Sequence, residues 1–263
     1  MPPGKHLRKR IRWGLPSLSL VLLSSPLGCL QDVQTPSVER GVAVLVALLE
    51  DHSPDIRRTA AESLGKIGDQ SVRPEVVPLL HDPVPEVRAA AARALGRTAA
   101  PTDEAVIAGL TRLLADPDEK VSEAAAMAIG DIEPSPRLMA PLADMLRSSD
   151  VRVRRAAVLA VLSLDTGQMT GWLLPLLADP DAEVRQGVVA ALGLSGDARA
   201  ATALRRRLAE DPSPAVRAEA AYHLGELNGV DTGGVLRAAV AKEADPGVRR
   251  WIEAELKALR GSD

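Results

Sequence analysis

Apolar residues recur along this chain on two superimposed periods, one of a single helix turn and one of about 32 residues. Anchored on the aliphatic member of an Ile/Val-Arg pair, the longer period runs through Ile56, Val87, Val121, Val153, Val184, Val216 and Val248, at spacings of 31, 34, 32, 31, 32 and 32. Within a copy, positions 0, 3, 4, 7 and 8 from the anchor fall on one helix face, and in the second copy they are Val87, Ala90, Ala91, Ala94 and Leu95. Alanine in the middle of that stripe lets two helices approach closely. The residue three before the anchor is Ser53, Asp118, Asp150, Asp181, Ser213 or Asp245, and Pro54, Pro214 and Pro246 follow it in three copies. An oxygen-bearing cap followed by proline predicts a helix start. Upstream runs such as LVALLE, LTRLLAD and LLPLLAD carry Leu or Val at three- and four-residue spacing. Each copy is therefore predicted to be helix, short Asp-Pro turn, helix.

A two-helix unit of this size cannot bury its apolar faces alone, so stacking is required. The predicted fold class is all-α: an α-solenoid of about seven two-helix repeats over residues 42–263. Tetratricopeptide and ankyrin repeats have similar periods, but no copy carries their W-x-x-L-G-x-x-Y or T-P-L-H signatures. The segments DPVPEVRAAAARALG, from Asp82 to Gly96, and DPSPAVRAEAAYHLG, from Asp211 to Gly225, resemble the short HEAT repeats first grouped with the phycobilin lyases. The resemblance covers roughly residues 42–260 and implies a superhelical stack of HEAT-like helix pairs.

Charged columns accompany the anchor. Five positions before it stand Asp51, Asp82, Asp116, Asp179 and Asp211; one position after it stand Arg57, Arg88, Arg154, Arg185, Arg217 and Arg249, with Ser122 the exception. Chemistry seldom needs one pair six times over, so these columns are expected to form a structural ladder, each Asp at a turn meeting an Arg at the start of a second helix. The HEAT family has such a ladder, which the resemblance implies here too. Two copies depart from the pattern. Leu162 replaces the glycine of the fourth, while the seventh carries Ile252 and Lys257 where Ala and Gly belong. Terminal repeats are expected to be atypical, so Trp251 and Lys257 read as a cap; the fourth departure has no such reason.

Residues 1–28 follow a different pattern. Lys5, Arg8, Lys9, Arg10 and Arg12 precede an uncharged Leu-rich stretch from Leu15 to Leu27, the order of an export signal and too short to span a bilayer. Pro26-Leu27-Gly28-Cys29 resembles a lipobox, which implies lipidation at Cys29; a plain secretory signal shares the same order. Residues 29–41 are expected to be a lipidated N-terminus and tether. Cleavage after residue 28 removes five cations and no acid, which takes the formal charge from -3 to -8. The chain is thus expected to be exported to the cell envelope or periplasm and held on a membrane by its lipid. So acidic a body is a poor partner for nucleic acid, and one Tyr, three Trp and no Phe cannot supply base-stacking platforms. A single Cys excludes a disulfide scaffold and any multi-thiolate zinc site.

Catalytic constellations are not found: no H-E-x-x-H, no G-x-S-x-G and no Gly-rich phosphate loop. His52 and His81 occupy comparable turns in adjacent copies, but two imidazoles do not define a coordination shell. The iron-dependent deoxyhypusine hydroxylases, which are HEAT proteins, use His-Glu dipeptides, and this chain has none. No cofactor, metal or enzymatic activity is expected. Position 6 from the anchor should be exposed, and it holds Met127, Leu159 and Tyr222 in the third, fourth and sixth copies, with Arg155 beside them at position 2. Met127, Arg155, Leu159 and Tyr222 are the candidate partner-binding residues, a groove suited to an extended peptide or helix. They could equally pack between neighbouring second helices. The expected function is a non-catalytic scaffold binding another envelope protein, with a lyase-like or chaperone accessory to a prosthetic-group-bearing protein as the alternative.

Overall fold

The computed structural model describes residues 36–164, 169–195, 197–226 and 232–260. The export signal over 1–28 and the Cys29 lipidation lie outside them. The chain divides into two units, residues 1–39 and 40–263; of the first, only the opening turn of one helix is described. Fourteen α-helices follow in order, and no strand occurs among the described residues. The first helices of the seven copies are α1 (Pro36–Ala47), α3 (Arg73–Val76), α5 (Glu104–Leu113), α7 (Pro136–Met145), α9 (Thr170–Leu173), α11 (Ala198–Glu210) and α13 (Thr232–Val240). The second helices are α2 (Pro54–Ile67), α4 (Pro85–Thr98), α6 (Glu119–Gly130), α8 (Val151–Leu164), α10 (Ala182–Leu194), α12 (Pro214–Glu226) and α14 (Pro246–Arg260). The protein is an α-solenoid of two-helix repeats.

Local chemistry sets the boundaries. Proline stands in the first turn of α2, α4 and α7, where its missing N–H costs nothing. Asp118 and Asp181 cap α6 and α10 by accepting backbone N–H bonds, as their position predicts, whereas the Ser53 side chain makes no capping bond. α3 and α9 give way to 3₁₀ segments at Val77–His81 and Leu174–Ala178. Pro78 and Pro175 lie at the start of these segments and cannot donate an α-type bond, so the turn tightens. α1 begins at Pro36, inside the stretch expected to be a tether, because Pro36 presets the first turn and Val42, Leu45 and Val46 pack on the core.

The even-numbered helices pack one on the next through their alanine-rich stripes. Val87, Ala90, Ala91, Ala94 and Leu95 are all buried, and one hydrophobic cluster runs from Leu49 to Leu256. Glycine fixes how closely these helices approach. A Cβ at Gly96 would sit 2.6 Å from the Ala128 Cα, and one at Gly65 would sit 2.7 Å from the Ala94 Cα. In both cases position 9 of one copy meets position 7 of the next.

The fourth copy is where this rule changes. Gly130, at position 9 of the third copy, approaches Ser163 instead, three residues beyond the usual partner. Leu162 then fills the glycine position of the fourth copy and packs on the core. The close approach to the next helix moves to Gly187, whose Cβ would sit 2.7 Å from a Val158 methyl group. A small residue on α10 thus compensates for the large one on α8, a reason for the departure that the sequence did not reveal.

Candidate functional site

The repeated charges resolve into rungs between neighbouring copies. Arg185 donates through Nε and Nη2 to both oxygens of Asp211, at 2.9 Å each, and through Nη1 to the carbonyls of Asp179 and Pro180, at 2.8 and 3.1 Å. Arg57 with Asp82, Arg88 with Asp116, and Arg154 with Asp179 repeat this arrangement. Arg217 does the same with Glu243, the acid of the seventh copy. Every rung therefore runs from the arginine of one repeat to the acid of the following repeat. The planar fork matches the carboxylate, and its third nitrogen ties the pair to its own turn.

Each acid has a second task. Asp211 accepts the Ser213 N–H at 2.9 Å, and Asp51, Asp82, Asp116, Asp179 and Glu243 accept the N–H two residues on in the same way. This closes the turn between the two helices. Burial pushes the carboxyls of Asp82, Asp116 and Asp211 up, but the arginine bond, the turn N–H and nearby guanidiniums outweigh it and hold them below the ordinary range. The two ends keep half a rung. The Asp51 side chain closes its turn and Arg249 donates to the Glu243 carbonyl, and among the described residues neither has a rung partner.

One joint has no rung. Ser122 stands at the arginine position of the third copy, and Ser148 stands at the acid position of the fourth. By the register of the other five rungs, these are the two halves of a single pair. Ser148 retains the turn, since its Oγ accepts the Asp150 N–H at 3.2 Å, but it carries no charge. Ser122 donates its hydroxyl to the Glu119 carbonyl at 2.9 Å. A cleft of about 440 Å³ opens here between α6 and α8, lined by Ser122, Arg155 and Leu159 among others.

Of the four candidate partner residues, the structure brings Arg155 and Leu159 together in this cleft and places Met127 and Tyr222 elsewhere on the second-helix face. Arg155, a candidate for partner binding, is engaged within the chain. Its Nε and Nη2 hold Asp181 at 2.9 and 2.5 Å, and its Nη1 holds Glu183 at 2.6 Å. That bond holds the Asp181 carboxyl at about 2. The joint between the fourth and fifth repeats is thus bridged by two arginines, immediately beside the joint that lacks a rung. Leu159 is half-buried against the core, whereas Met127 is 60% exposed and Tyr222 42% exposed. Tyr222 stands edge-on to Trp251, with ring centres 6.1 Å apart and Trp251 51% exposed. This aromatic pair escaped the sequence reading, which took Trp251 for a cap; positions 6 and 3 of successive copies were the available signal.

Two of the described histidines, His81 and His223, are held by side-chain bonds. His81 Nδ1 lies against the Arg112 guanidinium, and Arg112 also donates to the Leu80 carbonyl at 2.9 Å. His52 is exposed. His223 is buried under Gly193 and bonds Glu219 at 3.1 Å, which in turn accepts from Gln186 of the preceding repeat at 3.1 Å. These bonds, with the one to His223 foremost, hold the Glu219 carboxyl low against the opposing pull of burial. No group of three metal-ligating side chains lies together among the described residues. Nor is any helix among them long and apolar enough to cross a membrane.

A family profile described as HEAT repeats matches residues 42–119, 73–164 and 170–257. Comparison with curated proteins gives no match. Among solved structures, YibA of Escherichia coli is similar at a TM-score of 0.51 and 21% identity, over 83% of this chain and 82% of that one. The complex of CpcE and CpcF of phycocyanin lyase from Nostoc sp. PCC7120 is similar at 0.48 and 18% identity, over 92% and 100%. Human deoxyhypusine hydroxylase is similar at 0.40 and 25% identity, over 82% and 83%. The repeat matches span most of the body from residue 42 to residue 257, and the chain belongs to the HEAT-repeat family.

Proposed function

We propose that this chain is a non-catalytic scaffold of the cell envelope, held on a membrane by a lipid at Cys29, that takes a partner protein along its second-helix face. The observation that carries the reading is a division of labour among side chains. The repeated charges engage one another across the joints, so they are structural. Among the side chains that the second-helix face leaves to solvent are three large apolar ones, Met127, Tyr222 and Trp251. Exposed apolar groups on a repeat surface are what an extended segment or helix of a partner covers. The acidic balance of the body argues against nucleic acid as that partner.

The test is affinity capture from detergent-solubilised membranes with the full chain. Met127→Glu together with Tyr222→Glu should abolish co-purification of the partner while leaving the circular dichroism melt in place, since both side chains face solvent. Undiminished capture by the double variant would refute the docking face. Cys29→Ser should release the chain from the membrane fraction. A visible absorbance band carried through purification would favour the accessory role on a prosthetic-group-bearing protein instead.

A further inference from the structure

The vacated rung has the makings of a receptor, and the argument rests on the scaffold reading above. In five copies the guanidinium lies over two successive turn carbonyls, those five and four positions before the anchor, at 2.8 to 3.3 Å. At the third copy these carbonyls belong to Asp116 and Pro117, and no arginine among the described residues donates to them. The cleft of about 440 Å³ is lined by both of these residues and by Ser122, the short side chain that leaves the place open. The positions that ligate a guanidinium five times among the described residues thus recur at this cleft without an arginine of their own.

The walls favour the same occupant. Four carboxylates and two guanidiniums line the cleft. Both guanidiniums are engaged, Arg152 by Asp150 and Arg155 by Asp181 and Glu183. Asp116 is engaged by Arg88, while Glu119 and Glu123 form no ion pair among the described residues and stand exposed. Leu159 and Ala156 supply an apolar wall for a methylene stem.

We propose that this place receives an arginine side chain of the partner, carried on an extended segment with an apolar neighbour, so that the ladder is completed from outside. A planar fork can grip a carboxylate with two parallel bonds while its third nitrogen addresses the carbonyls; a lysine ammonium, a compact point charge, offers no such fork. The probes are three blocked pentapeptides with leucine on either side of arginine, lysine or citrulline, titrated by calorimetry into the full chain at low salt. The arginine peptide should bind about tenfold more tightly than the citrulline peptide, and more tightly than the lysine peptide.

Ser122→Arg with Ser148→Asp fills the place from within and should erase that preference. Glu119→Gln with Glu123→Gln, two exposed changes that spare the fold, should weaken it. Equal binding of the arginine and citrulline peptides, or a preference that survives in the filled variant, overturns the inference. The two readings fail separately. A chain that captures a partner protein but does not distinguish the peptides sinks the arginine receptor alone. A chain that distinguishes them, yet captures its partner unchanged after Met127→Glu and Tyr222→Glu, sinks the docking face alone.

Discussion

Arg185 holds Asp211 across the joint between the fifth and sixth repeats through two parallel bonds of 2.9 Å, and the Asp211 side chain is wholly buried. Removing the arginine strands a carboxylate in the interior with only Arg207, 3.4 Å away, to offset it. Arg185→Ala should therefore cost about 3 kcal/mol of stability, the usual penalty for breaking a buried ion pair. Partner capture should be unaffected. Thermal melts by circular dichroism check this, and an unshifted midpoint would contradict a structural ladder.

Acid should loosen the same joints. The Asp181 carboxyl sits at about 2 in the folded chain against an ordinary 3.8, chiefly through its bond to Arg155. A carboxyl lowered by folding adds stability that is fully present above the unfolded value and is lost as the pH falls through the folded one. Asp82, Asp116, Asp211 and Glu243 shift in the same direction. Urea midpoints should accordingly hold above pH 4 or so and drop steeply towards pH of about 2. A flat profile across that window would show that the rungs contribute nothing.

Two glycines should answer oppositely to alanine. A Cβ at Gly96 would meet the Ala128 backbone at 2.6 Å, so Gly96→Ala must push α4 from α6 and should cost about 1–3 kcal/mol. Gly41 lies within α1 with nothing within 4 Å of its Cβ position, so Gly41→Ala should stabilise by about 0.5–1 kcal/mol. Chemical denaturation of the two variants separates a packing requirement from helix propensity; equal effects would undo the close-approach account.

The repeat period and the order of helices were legible in the sequence because periodicity reports which face of a helix is buried. It does not report which neighbour a side chain meets. Spacing alone left open whether Arg88 faced its own turn or the next one; it does both, through different nitrogens. The pairing of Arg155 was missed because its partner Asp181 had been given a cap to make, and Asp181 makes both bonds. Glu243 was missed by alignment on aspartate, although Arg217 needed an acid at that place. The silence at Ser122 and Ser148 became meaningful only once every rung was known to join one copy to the next. Residues 1–28 and Cys29 stand on their sequence pattern alone.

The most direct test of the account is to build the missing rung. Ser122→Arg, Ser148→Asp and the two together, measured as a double-mutant cycle by urea unfolding, ask whether the joint between the third and fourth repeats obeys the register of the other five. The account predicts little or no gain from either single change and a favourable coupling of about 1–3 kcal/mol in the pair. Strict additivity, with the double variant no more stable than its parts require, would contradict it.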